Sequence, residues 1–242
     1  MNSKIWVLLI LAGFMTQNTQ AQEFDTLRRK DPGGWEFIQV FVIASNQLIQ
    51  EGYYHKGKME GAWNEFWPSQ YPKSMTTYHD GKKHGMHMEV FAEGYVGMIE
   101  HYENGLLEGP KKVYKYRGPI ILDELYSEGK KHGPYRKYYD NGRIQEFGGY
   151  VHDERDGRNI WYYENGNKAV EYEYRKGVKD GESSSFYESG IVQELGRYKD
   201  DERDGLWKEY YEDGSMKAEG MYEKGQKVGK WKQYDKKQAK TK

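Results

Sequence analysis

The stretch Gly205-Leu206-Trp207-Lys208-Glu209-Tyr210-Tyr211-Glu212-Asp213-Gly214, followed by Tyr222 and Gly225, decides the fold, because its pattern recurs at a step of 24 residues. Gly61, Gly85, Gly109, Gly133, Gly157, Gly181, Gly205 and Gly229 form one series. Tyr54, Tyr78, Tyr102, Tyr126, Tyr150, Tyr174, Tyr198 and Tyr222 form a second in phase with it. A third, Phe66, Val90, Tyr114, Tyr138, Tyr162, Phe186, Tyr210 and Tyr234, is aromatic in all but one unit. Three series kept in phase without an insertion are the signature of stacked supersecondary units.

A fourth series, Gly94, Gly118, Gly142, Gly166, Gly190 and Gly214, follows turn formers in Asn141-Gly142, Asn165-Gly166, Ser189-Gly190 and Asp213-Gly214. Asn-Gly and Asp-Gly between β-prone runs predict two-residue type I′ hairpin turns, with positive φ at both positions. Each unit therefore reads as a hairpin, with strands typified by residues 159–163 and 167–174. A looser turn, residues 174–181, then leads to the next hairpin, and Asp153 and Asp201 replace its leading glycine in two units. The predicted fold is all-β, an elongated single twisted antiparallel sheet of consecutive 24-residue hairpin repeats.

A turn at Asn165-Gly166 places Tyr174 opposite Gly157 and Lys168 opposite Tyr163, and likewise Tyr78 opposite Gly61 and Pro72 opposite Trp67. Alternation then sends the recurrent Tyr, the recurrent Gly and the rings Trp67, Phe91, Tyr139, Tyr163, Tyr187 and Tyr211 to one face. Each tyrosine ring is expected to cover its cross-strand glycine. The other face keeps one ring per unit among Lys, Arg, Glu and Ser.

The repeats also pair. Gly81-Lys82-Lys83-His84-Gly85 returns as Gly129-Lys130-Lys131-His132-Gly133, and Asp153-Glu154-Arg155-Asp156-Gly157 as Asp201-Glu202-Arg203-Asp204-Gly205. Both returns span 48 residues, which implies duplication of hairpin pairs. Residues 22–54 read as a linker and a degenerate capping hairpin, residues 55–234 as the repeats, and residues 235–242 as a Lys-rich tail.

The first residues differ in kind. A short polar start with Lys4, an apolar run over residues 5–15 and a polar stretch ending at Ala21 form the layout of a secretory signal peptide over residues 1–21. The run is shorter than the ~20 residues of a membrane span, and no later stretch suits one. An exported protein, periplasmic or extracellular, is expected. Charged residues make up 31% of the chain, but aromatics reach 16%, so high polarity here does not mean disorder. A formal charge of −1 gives no basic footprint for nucleic acid. The chain has no cysteine, which removes disulfides, thiolate metal sites, Fe–S clusters and a cysteine nucleophile.

The glycine, aromatic pair, Asp-Gly and distal tyrosine of residues 205–225 resemble the MORN-repeat variants, specifically the bacterial repeats grouped under the YwqK-type antitoxin label. The resemblance covers roughly residues 47–234. It implies consecutive antiparallel hairpins used for protein association and, in classical MORN proteins, a proposed lipid contact. The antitoxin label would imply neutralisation of a partner toxin, whereas a signal peptide argues for work outside the cytoplasm.

No constellation breaks the repeat as a catalytic site would. His84 and His132 occupy the same turn position, so they read as solvated turn residues rather than metal ligands, and the Asp-Glu-Arg-Asp-Gly turns lack the ligand order of a calcium loop. No catalytic residue, metal or cofactor is expected, and the chain is not read as an enzyme. Trp63, Trp67, Tyr139, Tyr163, Tyr187, Trp207, Tyr211 and Trp231 form the candidate ligand surface, with packing within the sheet as the plainer reading. The expected function is an exported scaffold for an unknown protein partner. The alternatives are a module binding envelope polysaccharide or a lipid surface, and an antitoxin-like protein.

Overall fold

A computed structural model describes residues 22–236. The expected signal peptide over residues 1–21, with its expected cleavage after Ala21, and residues 237–242 of the tail lie outside the described residues. The chain divides into two compact units, which meet between Leu107 and Glu108 in the sequence. Among the described residues all regular structure is β, in antiparallel strands.

The first unit contains β1 (Phe24–Lys30), β2 (Trp35–Val42), β3 (Gln47–His55), β4 (Lys58–Phe66), β5 (Pro72–His79), β6 (Lys82–Val90), β7 (Val96–Glu103) and β8 (Leu106–Leu107). The predicted capping hairpin is β2–β3, but residues 24–30 are not linker: they pair as β1 with Glu36 to Val42 of β2. The second unit contains β9 (Gly109–Tyr114), β10 (Ile120–Ser127), β11 (Lys130–Tyr138), β12 (Ile144–Val151), β13 (Glu154–Arg155), β14 (Gly157–Tyr162), β15 (Lys168–Arg175), β16 (Val178–Phe186), β17 (Val192–Lys199), β18 (Glu202–Tyr210), β19 (Met216–Glu223) and β20 (Gln226–Gln233). Within each unit the strands pair with their neighbours in sequence, except that β13 and β14 do not pair with each other but both lie along β12.

The two turn types are exchanged relative to the sequence expectation. The tight type I′ turns are those read as loose: Lys176 (φ 49°) and Gly177 (φ 82°) bridge the pair Arg175↔Val178. Asp153 and Asp201 take the glycine position with φ 71° and 65°, as the sequence suggested. At the Asn-Gly sites only the glycine is left-handed. Gly166 donates to the Tyr163 carbonyl at 2.9 Å and Tyr163 N–H donates to Asn167 O at 2.8 Å, which makes a three-residue loop of a type I turn and a glycine bulge. Asn165 is there for another reason: its Oδ1 accepts the Asn167 N–H at 2.8 Å, and Asn141 and Asp213 serve Arg143 and Ser215 alike.

The extra loop residue shifts the register beside it. Gly157↔Tyr174 and Gly61↔Tyr78 pair as predicted, but Lys168 faces Tyr162 rather than Tyr163, and Pro72 faces Phe66 rather than Trp67. A bulge absorbs the difference between Trp161 and Tyr162. The glycine facing each tyrosine also has a different role from the one expected. A Cβ on Gly61, Gly157 or Gly205 would meet nothing within 4 Å, so no ring lies over these residues. What selects glycine is its backbone, at φ 70° in Gly157, inside a second bulge.

The rings cover another glycine series. Reading across the strands of the second unit, one central row runs Glu124, Tyr135, Gly148, Asn159, Tyr172, Ser183, Gly196, Trp207, Gly220 and Trp231. A Cβ on Gly196 or Gly220 would overlap the Trp207 or Trp231 ring, and one on Gly148 would overlap the Asn159 amide. Where the row carries Tyr172, its neighbour is Ser183. Large faces small along the row, which is how one thin sheet reaches interior packing without a second layer. Trp207 is 1% exposed and Asn159 0%.

Successive hairpins are also stapled at the loop edge. Tyr139, Tyr163, Tyr187 and Tyr211 each donate a hydroxyl hydrogen bond to the carbonyl 23 residues ahead, on Tyr162, Phe186, Tyr210 and Tyr234, at 2.6 to 3.1 Å. Tyr187→Phe keeps the ring and removes one staple, so a loss of about 1 kcal/mol is expected in urea unfolding. An unchanged midpoint would show that the hydroxyl contributes nothing beyond its contact with water.

Candidate functional site

The structure separates the eight candidate residues into two groups. Trp207 and Trp231 lie in the central row of the second unit and Trp63 holds the same repeat position in the first, each edge-on to a recurrent tyrosine: Tyr198 at 5.4 Å, Tyr222 at 5.3 Å and Tyr54 at 5.5 Å. Tyr139, Tyr163, Tyr187 and Tyr211 sit at the loop edge in the staples, and Trp67 joins them in kind, its Nε1–H donating to Val90 O at 2.7 Å. The two groups therefore do not make one continuous platform, and Trp207 faces the chain rather than solvent.

A basic series that the aromatic and glycine patterns do not reveal, Lys131, Arg155, Lys179, Arg203 and Lys227, also recurs 24 residues apart. These side chains lie among the rings. Arg203 is 4.1 Å from the centre of the Trp207 ring, Lys227 Nζ 3.7 Å from that of Trp231, and Lys179 Nζ 4.4 Å from that of Tyr172. Carboxylates close the same layer: Lys131–Glu124 at 2.6 Å, Arg155–Glu146 at 2.5 Å and Arg203–Glu194 at 2.7 Å. Arg155 also donates to Asn159 Oδ1 at 2.9 Å, which satisfies the most deeply buried amide of the row. Burial and the facing Glu146 push the Tyr135 hydroxyl up to about 12. Rings, cations and carboxylates on this face are thus partnered with each other. The period of the basic series was the available signal, but charge at a repeat position reads equally well as a solvated surface.

The first unit carries a different polar row. Thr76 Oγ1 and His87 Nδ1 are 2.8 Å apart, and His87 stands opposite Glu100, which accepts the Tyr102 hydroxyl at 2.5 Å. Thr76, His87 and Glu100 are 6%, 7% and 4% exposed. Burial, and then the Lys83 charge, hold the His87 pKa below its ordinary 6.5 against the opposing pull of Glu100 and Glu89. Below about pH 6.5 the unfolded histidine takes a proton that the folded one refuses, so stability falls as pH drops through that window toward the folded value. The slope from one such group is at most about 1.4 kcal/mol per pH unit. His79, raised by its hydrogen bond and charge contact with Glu60, acts in the opposite sense. His87→Gln should therefore flatten the decline below about pH 6.5 relative to wild type. Parallel curves would remove His87 as its source.

The charged turns bridge repeats. Asp153 Oδ1 accepts the Lys131 N–H at 2.8 Å and Asp201 Oδ1 the Lys179 N–H at 2.9 Å, so both carboxylates are tied to the preceding turn. His79 with His84, and His132 with His152, form tilted ring pairs at 5.7 and 5.2 Å. Among the described residues no group of three His, Asp or Glu side chains is placed to hold a metal ion, and no helix is long and apolar enough to cross a membrane.

Four consecutive segments, residues 131–146, 155–176, 179–200 and 203–224, match the family model described as the MORN repeat variant. They fall on β11 with the start of β12, and on the hairpins β14–β15, β16–β17 and β18–β19 of the second unit, and leave β9, β10 and β20 unmatched. No curated protein matches the chain.

Proposed function

We propose that this chain, a repeat scaffold carrying MORN-variant repeats, is exported and non-catalytic and holds a partner protein. The observation that carries the reading is how the exposed apolar side chains are distributed. The rings of the inner layer are occupied by cations and by each other. On the opposite face large apolar residues recur at two adjacent repeat positions. In the first unit these are Tyr53 and Met86, and in the second Leu125, Leu206 and Met221, the last two paired at 50% and 48% exposure. Apolar side chains held outward on a rigid lattice, among Lys, Arg and Glu, have the anatomy of a protein-binding surface. Neutralisation of a toxin, implied by the YwqK-type resemblance, is a special case of the same reading.

Residues 22–242, used as bait in an envelope extract, are expected to capture a defined protein, and Leu206→Glu with Met221→Glu to release it. Capture unaffected by both substitutions would remove this face from the reading. N-terminal sequencing of exported material should begin at Gln22, and an intact Met1 would contradict export with cleavage. A second reading, glycan binding, is favoured by Tyr71 and Tyr95, 52% and 42% exposed at loop ends of the first unit. Retention on a cell-wall pellet that Tyr71→Ala abolishes would support it.

A further inference from the structure

The last strand, β20, differs from the strands before it in the second unit. Among the described residues it pairs with β19 alone, so one edge carries no partner. The repeat states what an interior strand has at that edge. Gly205, Trp207 and Glu209 of β18 face Tyr222, Gly220 and Ala218 of β19, and their equivalents in β20 are Gly229, Trp231 and Gln233. Trp207, enclosed by strands on both sides, is 1% exposed, whereas Trp231 at the same repeat position stays half-buried. Tyr210 is half-buried and its equivalent Tyr234 is 38% exposed. The rings left open are those that a following strand covers elsewhere. Two shallow depressions lie on the paired side of β20, over β18 and β19, one lined by Leu206, Met221, Val228 and Lys230, the other by Tyr210, Met216, Gln233 and Tyr234, so neither is a pocket at the free edge.

Charge decides what such a strand would be. β20 carries Lys227, Lys230 and Lys232 and no acidic residue; Lys227 and Lys232 reach back to Glu209 and Glu219 at 3.5 and 3.0 Å, so an added carboxylate would share Lys232 with Glu219. A second copy of β20 would bring lysine against lysine, and β1, with Arg28, Arg29 and Lys30 against the single Asp25, would bring a net excess of cations. Like charges directly opposite each other on paired strands are unfavourable. Inside the array the position of Lys232 is held by Lys208, which faces Glu219, and the residue facing Trp207 is Gly220. We propose that the free edge of β20 receives an acidic, extended segment of a partner protein as an added antiparallel strand, with a small residue facing Trp231 and a carboxylate facing Lys232. This rests on the scaffold reading and names the chemistry of its partner. Main-chain hydrogen bonds would supply the affinity and the lysines the selection.

The probe is an eight-residue strand peptide with glutamates flanking a central glycine, beside its counterpart with lysine for glutamate. Both are titrated into residues 22–242 and followed by amide NMR shifts and calorimetry. The acidic peptide is expected to move the amides of Gly229, Trp231 and Gln233, and the lysine peptide to leave them in place. Gln233→Pro removes an edge N–H that β19 does not use, and should weaken binding by at least about tenfold with an unchanged unfolding midpoint. Lys230→Glu with Lys232→Glu should reverse the preference between the peptides. Binding that Gln233→Pro leaves intact, equal binding of both peptides, or a dimer of the free protein in sedimentation would each overturn the proposal. The bait experiment separates the two readings. A partner still captured by Gln233→Pro leaves the scaffold standing without the edge, whereas the absence of any captured protein removes the scaffold itself.

Discussion

Trp207→Ala is expected to lower the unfolding free energy of the second unit by about 3 to 5 kcal/mol. The indole is 1% exposed, lies over Gly196, and donates from Nε1 to the Arg197 carbonyl at 3.2 Å. Tyr198 and Tyr222 meet it edge-on at 5.4 and 5.8 Å, and Arg203 covers it at 4.1 Å. Truncation would open a cavity whose walls are backbone on one side and a cation on the other, neither of which can collapse into it. Trp231→Ala deletes the same ring at the same repeat position, but with a strand on one side only, and should cost roughly half as much. Urea unfolding with a common slope reads both. Equal losses would show that enclosure by two strands is not what gives Trp207 its weight.

Removal of residues 134–181 is expected to leave a folded, cooperatively melting protein, while removal of residues 134–145 should abolish cooperative unfolding of the second unit. The longer deletion takes out two whole repeats and rejoins the chain in phase. Glu146, Arg155 and Asn159 leave together, so no buried charge is stranded, while Glu124–Lys131 and Glu194–Arg203 both remain. Asp201 lies 48 residues after Asp153, and would take over the cap on the Lys131 N–H that Asp153 now provides. The shorter deletion removes half a hairpin and turns the central row out of register, placing side chains meant for one face on the other. Far-UV circular dichroism and thermal melts of both variants beside the parent decide it. If both deletions are equally disordered, each hairpin depends on more than its neighbours and the modular account fails.

The amino-acid sequence alone was enough to determine the architecture, because in a repeat each positional constraint is written many times over. Glycine at Gly157 and its equivalents, tyrosine at Tyr174 and its equivalents, and their pairing across the hairpin follow from period and alternation, which act over a few residues. The sequence also made Asn-Gly a turn, but not which turn. The choice between a two-residue type I′ turn and a three-residue loop with a bulge depends on strand twist and on the Asx hydrogen bond, and both need the flanking strands in place.

Only the tertiary structure decided what the rings do. Whether Trp207 is a platform or a core residue depends on Gly196 and Gly220, one strand away on either side, and on Arg203 above it. Whether Tyr187 is free or a staple depends on a carbonyl 23 residues ahead. The basic series was visible as charge, but its closeness to the rings appears only when adjacent hairpins lie side by side. Local periodicity thus specifies strands and turns, whereas the partition of aromatic side chains between core and surface is set by cross-strand neighbours that one repeat by itself does not contain.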